Sequence, residues 1–212
     1  MSIRAEAEEN LRVIRSLMEK ATIYRAISAP GALLAGGSAI AVTAGALWPD
    51  SPLGSDSPLG SRSGFASLWL AVLSITSVSN LWLLWRDAQR RGEHFVSQGM
   101  RLALRAMLPA LLAGGLCVLV ESEGGWVLVA SLWVLLYGVS LLAASHFAPK
   151  SICWLGRSFF VLGAVLLISG AFVFDWWRGS GQIKMAHLIM GATFGLFHLI
   201  YAACTWPRRS AS

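Results

Sequence analysis

Six apolar blocks, at residues 30–48, 64–85, 102–120, 126–145, 154–174 and 185–205, leave this chain few ways to fold. Crossing the hydrocarbon core of a bilayer takes about 20 helical residues, and every block is close to that length. Charge enters only near block ends, as Arg105 and Arg157, where a long side chain reaches the headgroups. In lipid each backbone N–H and C=O needs an internal partner, so blocks of this length are helices; barrel strands would be about half as long and would alternate in polarity. The expected fold is an all-α integral membrane protein built as a six-transmembrane-helix bundle. Composition agrees, with 56% of residues hydrophobic and only 13% charged, where a soluble domain carries about one quarter charged. The same figures exclude a disordered chain. Glycine lacks a collagen period, and three cysteines make no disulfide framework.

Orientation follows from the positive charges, because Lys and Arg accumulate in cytoplasmic segments. Six spans place both termini on one side, and 14 of the 17 Lys and Arg lie on that side. Only Arg62, Arg178 and Lys184 lie on the other. Both termini are therefore expected in the cytoplasm. Acidic residues divide almost evenly between the sides, so the pI near 9.8 reflects topology and contact with anionic lipid; nucleic acid is not an expected partner. Trp48, Trp126, Trp176 and Trp177 mark the outer interface and Trp85, Trp154 and Trp206 the inner one, as the amphipathic indole prefers. No cleavable signal peptide is expected, because the first residues are acidic and helical, without a short apolar region before a small-residue cleavage site.

Residues 1–28 read as a cytoplasmic amphipathic helix, residues 29–206 as the six-helix transmembrane domain, and residues 207–212 as a cytoplasmic tail. In the first of these, over 5–27, Leu11, Ile14, Met18 and Ala21 recur at three- and four-residue intervals, and Glu8 and Arg12 form an i,i+4 pair. Such a helix either lies on the inner leaflet or docks a protein partner. Pro30 then opens the first span, where its fixed φ suits a helix start. The first outer loop holds a tandem hexapeptide, Ser51-Pro-Leu-Gly-Ser-Asp56 and Ser57-Pro-Leu-Gly-Ser-Arg62, dense in loop formers and without a ligand set. The cytoplasmic loop 86–101 is too small to fold alone. Ala32-Leu-Leu-Ala-Gly-Gly37 recurs as Ala110-Leu-Leu-Ala-Gly-Gly115, each behind a proline, and Ser67-Leu-Trp69 recurs as Ser131-Leu-Trp133. A duplicated hairpin and a chance match of common residues both account for this.

Small residues line span one at Gly37, Ala41 and Gly45, and span six carries Gly191 and Gly195 in GxxxG spacing. Both stripes are expected to be packing faces, with contact between copies as the lesser reading and hence a homo-oligomer as a further partner expectation. His187 and His198 are eleven positions apart, roughly 20° around an α-helix and about 16 Å along it, on the glycine stripe. Both are thus expected to face protein. An intramembrane histidine is a functional candidate by default, and equally a hydrogen-bonding strut between helices. Span two has a polar inner half, Ser74, Thr76, Ser77, Ser79 and Asn80, able to wet a cavity or to bond its own backbone carbonyls. The candidates for a pore or polar site are His198, His187 and Asn80. No residue stands out as catalytic or as a metal ligand, and no cofactor is expected: His94 and His146 lie at the cytoplasmic boundary, too far to complete a haem site, and Cys117, Cys153 and Cys204 show no metal-binding spacing.

Phosphate loops, nucleophile elbows, HExxH, Rossmann fingerprints and paired intramembrane aspartates are missing, so an enzyme is not expected. The segment Arg12-Val-Ile-Arg-Ser-Leu-Met-Glu-Lys-Ala-Thr22 before a proline-initiated span, with Gly191-Ala-Thr-Phe-Gly-Leu-Phe-His198 near the end, resembles small bacterial inner-membrane proteins with six helices. That resemblance implies location in the bacterial inner (plasma) membrane and brings no activity with it. The leading functional expectation is a non-enzymatic accessory or signal-relaying component of a membrane complex, with lipid and a protein at the N-terminal helix as partners. The alternative is a small uncoupled transporter or channel lined by span two and His198.

Overall fold

Each apolar block becomes a helix whose ends are set by local chemistry. The computed structural model describes residues 3–26, 28–48, 51–53, 62–92, 95–96, 98–120, 125–145, 148–172 and 181–206, and no strand occurs among them. In chain order the helices are α1 (Ile3–Ala26), α2 (Ala29–Leu47), α3 (Arg62–Arg91), α4 (Gln98–Val120), α5 (Trp126–Ala143), α6 (Lys150–Phe172), α7 (Gln182–Met190) and α8 (Leu196–Thr205), with a π-helical turn at Gly191–Gly195 joining the last two. Six helices are long and apolar enough to cross a membrane, the sixth being α7, the π-turn and α8 together. Ser28 caps α2 by accepting the Gly31 N–H at 3.2 Å, with Pro30 in the first turn. Gly92 ends α3 in a left-handed conformation, φ 66°, that side chains disfavour.

Several helices outrun their apolar blocks. Polar residues continue α3 from Trp85 to Arg91 and start α4 at Gln98, so most of the expected 86–101 loop is helix. Residues 54–61 of the tandem hexapeptide, His94, His146 and the 207–212 tail lie outside the described residues. Pro30 starts α2, whereas Pro109 sits inside α4, and this separates the two halves of the internal repeat.

Packing centres on α5, which touches α6, α4 and α7, while α2 lies along α7, the π-turn and α8. Close approach comes from glycine. A Cβ at Gly163 would lie 2.6 Å from Leu135 Cα, and one at Gly138 would meet the Phe160 backbone, so α5 and α6 pack almost backbone to backbone. A Cβ at Gly36 would lie 2.8 Å from the Gly195 carbonyl oxygen, and one at Gly195 would lie 2.6 Å from Ile40 Cδ1. The span-six glycines thus pack as expected, but span one meets them differently. Gly37 has nothing within 4 Å, Ala41 is exposed, and a Cβ at Gly45 would meet only Leu53. The packing face of α2 is instead Gly36, Ala39 and Thr43, one position further round the helix.

Helix α3 is the least covered of the six, resting on α2 and, less, on α7 and α1. At the end of the bundle where Lys and Arg collect, the basic end, the Arg86 guanidinium lies 5.4 Å from the Trp82 ring centre and that of Arg157 lies 5.3 Å from Trp154. Helix α1 contacts α4 and α3, and every side chain from Glu6 to Leu17 is exposed.

Gly138→Leu is expected to destabilise the protein by about 3 kcal/mol, the upper end of overpacking costs, because the added side chain meets backbone that cannot give way. Gly37→Leu, in open space, should stay within about 0.5 kcal/mol of the parent. Thermal unfolding of both variants in the same detergent checks the contrast.

Candidate functional site: two buried histidines on an interrupted sixth helix

The sixth helix carries both histidines, and its neighbours supply the groups that hold them. Towards the end of the bundle away from the arginines, His187 of α7 is 1% exposed. The Trp69 indole of α3 donates to His187 Nδ1 at 3.1 Å, and the Thr43 hydroxyl of α2 donates to the His187 carbonyl at 3.0 Å. Indole is a donor only, so Nδ1 accepts and the imidazole proton sits on Nε2. That Nε2 has no hydrogen-bond partner among the described residues, and neither has the buried Trp126 Nε1. Both rings pack on Phe65, whose centroid is 4.9 Å from that of His187 and 5.4 Å from that of Trp126. Trp133 stacks on the same Phe65 and donates its N–H to the Gly114 carbonyl at 2.8 Å.

Nearer the basic end, His198 of α8 is 7% exposed. Its Nδ1 lies 2.8 Å from the Phe194 carbonyl oxygen and its Nε2 lies 3.0 Å from the Tyr137 hydroxyl of α5. A carbonyl can only accept, so Nδ1 carries the proton and Nε2 accepts from Tyr137. Phe159 and Phe194 each pack on both rings of the pair, with Phe159 4.8 Å from Tyr137 and 5.6 Å from His198 between ring centres, and Phe197 packs on Phe159 behind them. Each histidine is therefore a neutral, directed hydrogen-bonding group inside a shell of aromatic rings.

The two do not share one face of contact. A straight α-helix would keep them roughly 20° apart, but His187 meets α2 and α3 while His198 meets α5 and α6. The π-turn between them explains the difference, because it absorbs an extra residue and rotates α8 relative to α7. The backbone N–H of Leu196 bonds the carbonyl of Gly191, five residues back, and the Phe194 carbonyl in this widened turn takes the His198 ring.

Asn80, the third candidate, is not part of either group. It lies over α2, where a Cβ at Gly31 would meet its side-chain oxygen. Of its polar neighbours, Ser74 donates to the Leu70 carbonyl at 2.8 Å and Thr76 to that of Val72 at 2.8 Å. These hydroxyls return to their own backbone. Among the described residues no three His, Cys, Asp or Glu side chains gather as a metal set, and Cys117, Cys153 and Cys204 are free thiols. A shallow surface concavity lies elsewhere, on α1, lined by Glu8, Glu9, Leu11, Arg12 and Arg15. Sequence reasoning does not find Trp69 and Tyr137, the partners of the histidines. Trp69 does carry a signal, since a tryptophan placed inside a span needs an acceptor for its N–H.

No protein-family profile matches the chain, and no curated protein or solved structure matches it.

If Tyr137 and His198 form a strut, a double-mutant cycle with Tyr137→Phe and His198→Leu should return a coupling of about 1 kcal/mol, the scale of hydrogen bonds between helices in membranes. His198→Gln, which keeps an acceptor, should cost less than His198→Leu. Chemical or thermal unfolding of the four proteins measures this, and a coupling near zero would remove the strut.

Proposed function

We propose that this chain is a non-enzymatic integral protein of a bacterial inner membrane, with both termini cytoplasmic, acting as an accessory or signal-relaying subunit through α1. The observation that carries this reading is the open face of α1, whose apolar side chains the bundle of its own chain leaves uncovered. Several buried hydroxyls of the bundle return to backbone carbonyls, Ser131 to that of Val127, Ser140 to that of Tyr137 and Thr193 to that of Ile189, while His187 Nε2 and Trp126 Nε1 have no partner among the described residues. By contrast Leu11, Val13, Ile14 and Leu17 of α1 all stand exposed, an apolar surface that soluble or membrane-surface helices normally cover. The charge asymmetry between the two ends of the bundle supports the orientation, through the preference of Lys and Arg for the cytoplasmic side. A transport path is less well supported, because Asn80 and His198 lie in separate surroundings and the Ser74 and Thr76 hydroxyls of α3 bond their own helix.

Two measurements test the reading. A cysteine replacing Ser57 in an otherwise cysteine-free chain should react with an impermeant reagent added from the periplasmic side and stay unlabelled from the cytoplasm; the reverse pattern overturns the orientation. Native mass spectrometry after extraction in mild detergent should find an assembly heavier than one chain, and Leu11→Glu with Ile14→Glu should release the single chain. A parent that extracts as a monomer and saturably binds a small solute would replace this reading with the transporter.

A further inference from the structure

The sequence spacing on α1 specifies more than an apolar stripe. Ala7, Leu11 and Ile14 are exposed and succeed one another at intervals of four and three residues, and Met18 and Ala21 continue that interval in the sequence. This is the a/d pattern of a two-helix seam, repeated over two heptads. Leu11 is 66% exposed and Ile14 is 52% exposed, so neither is spent on the bundle of its own chain. With Leu11 at a and Ile14 at d, Glu8 and Arg15 fall on the same flanking heptad position, one turn of the repeat apart and opposite in charge. In an antiparallel pair that aligns Leu11 with Ile14, like flanking positions face each other, and each Glu8 meets an Arg15 twice over by symmetry. A parallel pair would set Arg15 against Asn10 and form no such ion pairs. The shallow concavity of α1, lined by Glu8, Glu9, Leu11, Arg12 and Arg15, lies on the flank of this seam that carries Glu8 and Arg15.

A lipid leaflet fits the same stretch less well. Along α1 as a whole five basic side chains stand against four acidic ones, so the helix offers an anionic surface little net attraction, whereas interfacial helices are rich in Lys and Arg. Two copies inserted in the same orientation are related by a two-fold axis along the membrane normal, and helices lying across such an axis run antiparallel.

We propose that α1 pairs with α1 of a second copy of this chain, antiparallel, through Ala7, Leu11 and Ile14, with reciprocal Glu8–Arg15 ion pairs setting the register. The proposal rests on the reading of α1 as a docking helix and names its occupant. The test uses the full chain reconstituted in neutral-lipid vesicles, with subunit stoichiometry counted by single-molecule photobleaching across a dilution series. The parent is expected to be a dimer. Glu8→Arg alone and Arg15→Glu alone each turn two attractions into two repulsions and should weaken it about tenfold. The double variant Glu8→Arg with Arg15→Glu should recover the parent's affinity, which also shows that the single variants were folded. Singles that leave the dimer unchanged, or a double variant that does not recover, overturn the pairing. A monomeric parent that captures a different protein through α1 overturns the self-pairing and leaves the accessory reading standing; a monomeric parent without any protein partner overturns both.

Discussion

Between two long apolar helices in an apolar solvent, burying leucine gains almost nothing, because the leucine is already among hydrocarbon; what distinguishes one pairing from another is how closely the backbones approach and which polar groups they bring together. Gly163 against Leu135 and Gly138 against Phe160 set the distance between α5 and α6, and Gly36 against Gly195 sets that between α2 and the sixth helix. The polar contacts depend on these approaches. Thr43 reaches the His187 carbonyl because Gly191, one turn on, leaves room for the threonine, since a Cβ there would meet its side chain. Phe159 closes over Tyr137 and His198 because α6 lies almost against α5. Large apolar residues such as Leu73, Leu112, Val161 and Ile168 meanwhile remain on the outside, which suits a hydrocarbon surrounding and would be costly in water.

The six long helices are legible in the sequence because length and the exclusion of charge are properties of each block alone. Their ends are less so: Arg86 to Arg91 and Gln98 to Arg101 extend helices without being apolar, and hydropathy does not register them. The packing face of α2 departs from the expected Gly37, Ala41 and Gly45 for a related reason. That helix has small residues on nearly every side, including Gly31, Ala32, Ala35, Gly36, Ala39, Ala44 and Ala46, so smallness alone selects no direction. The close packing of Gly138, Gly156 and Gly163 is not legible either, because their spacing makes sense only once α5 and α6 are side by side. His187 and His198 are visible as polar groups in an apolar block, and their burial agrees with the expectation. Their partners are not, since Trp69 and Tyr137 lie 118 and 61 residues away and only the tertiary arrangement couples them.

The π-turn is the feature that makes both histidine contacts compatible. An α-helix advances about 100° per residue, so a turn that absorbs one extra residue rotates everything after it by about that angle relative to a straight continuation. If α7 kept its anchors at Trp69 and Thr43 while the helix ran straight, Phe197 would stand where His198 now meets Tyr137. Tyr201 would stand where Ala202 is buried at 2% exposure, with no space for a phenol ring. Straightening is therefore opposed at one place by sterics and at another by a lost hydrogen bond. Against this stands the weaker backbone geometry of a five-residue π-turn, partly offset because the Phe194 carbonyl within it accepts from the His198 ring. The flanking glycines serve the same end: Gly191 and Gly195 let the widened turn press against Thr43 and Ile40, where any side chain would hold α2 away. A GxxxG pair in this chain thus does more than bring two helices together. It lets the irregular turn lie against a neighbour, and the irregular turn lets one helix be tied by one end to α2 and α3 and by the other to α5 and α6.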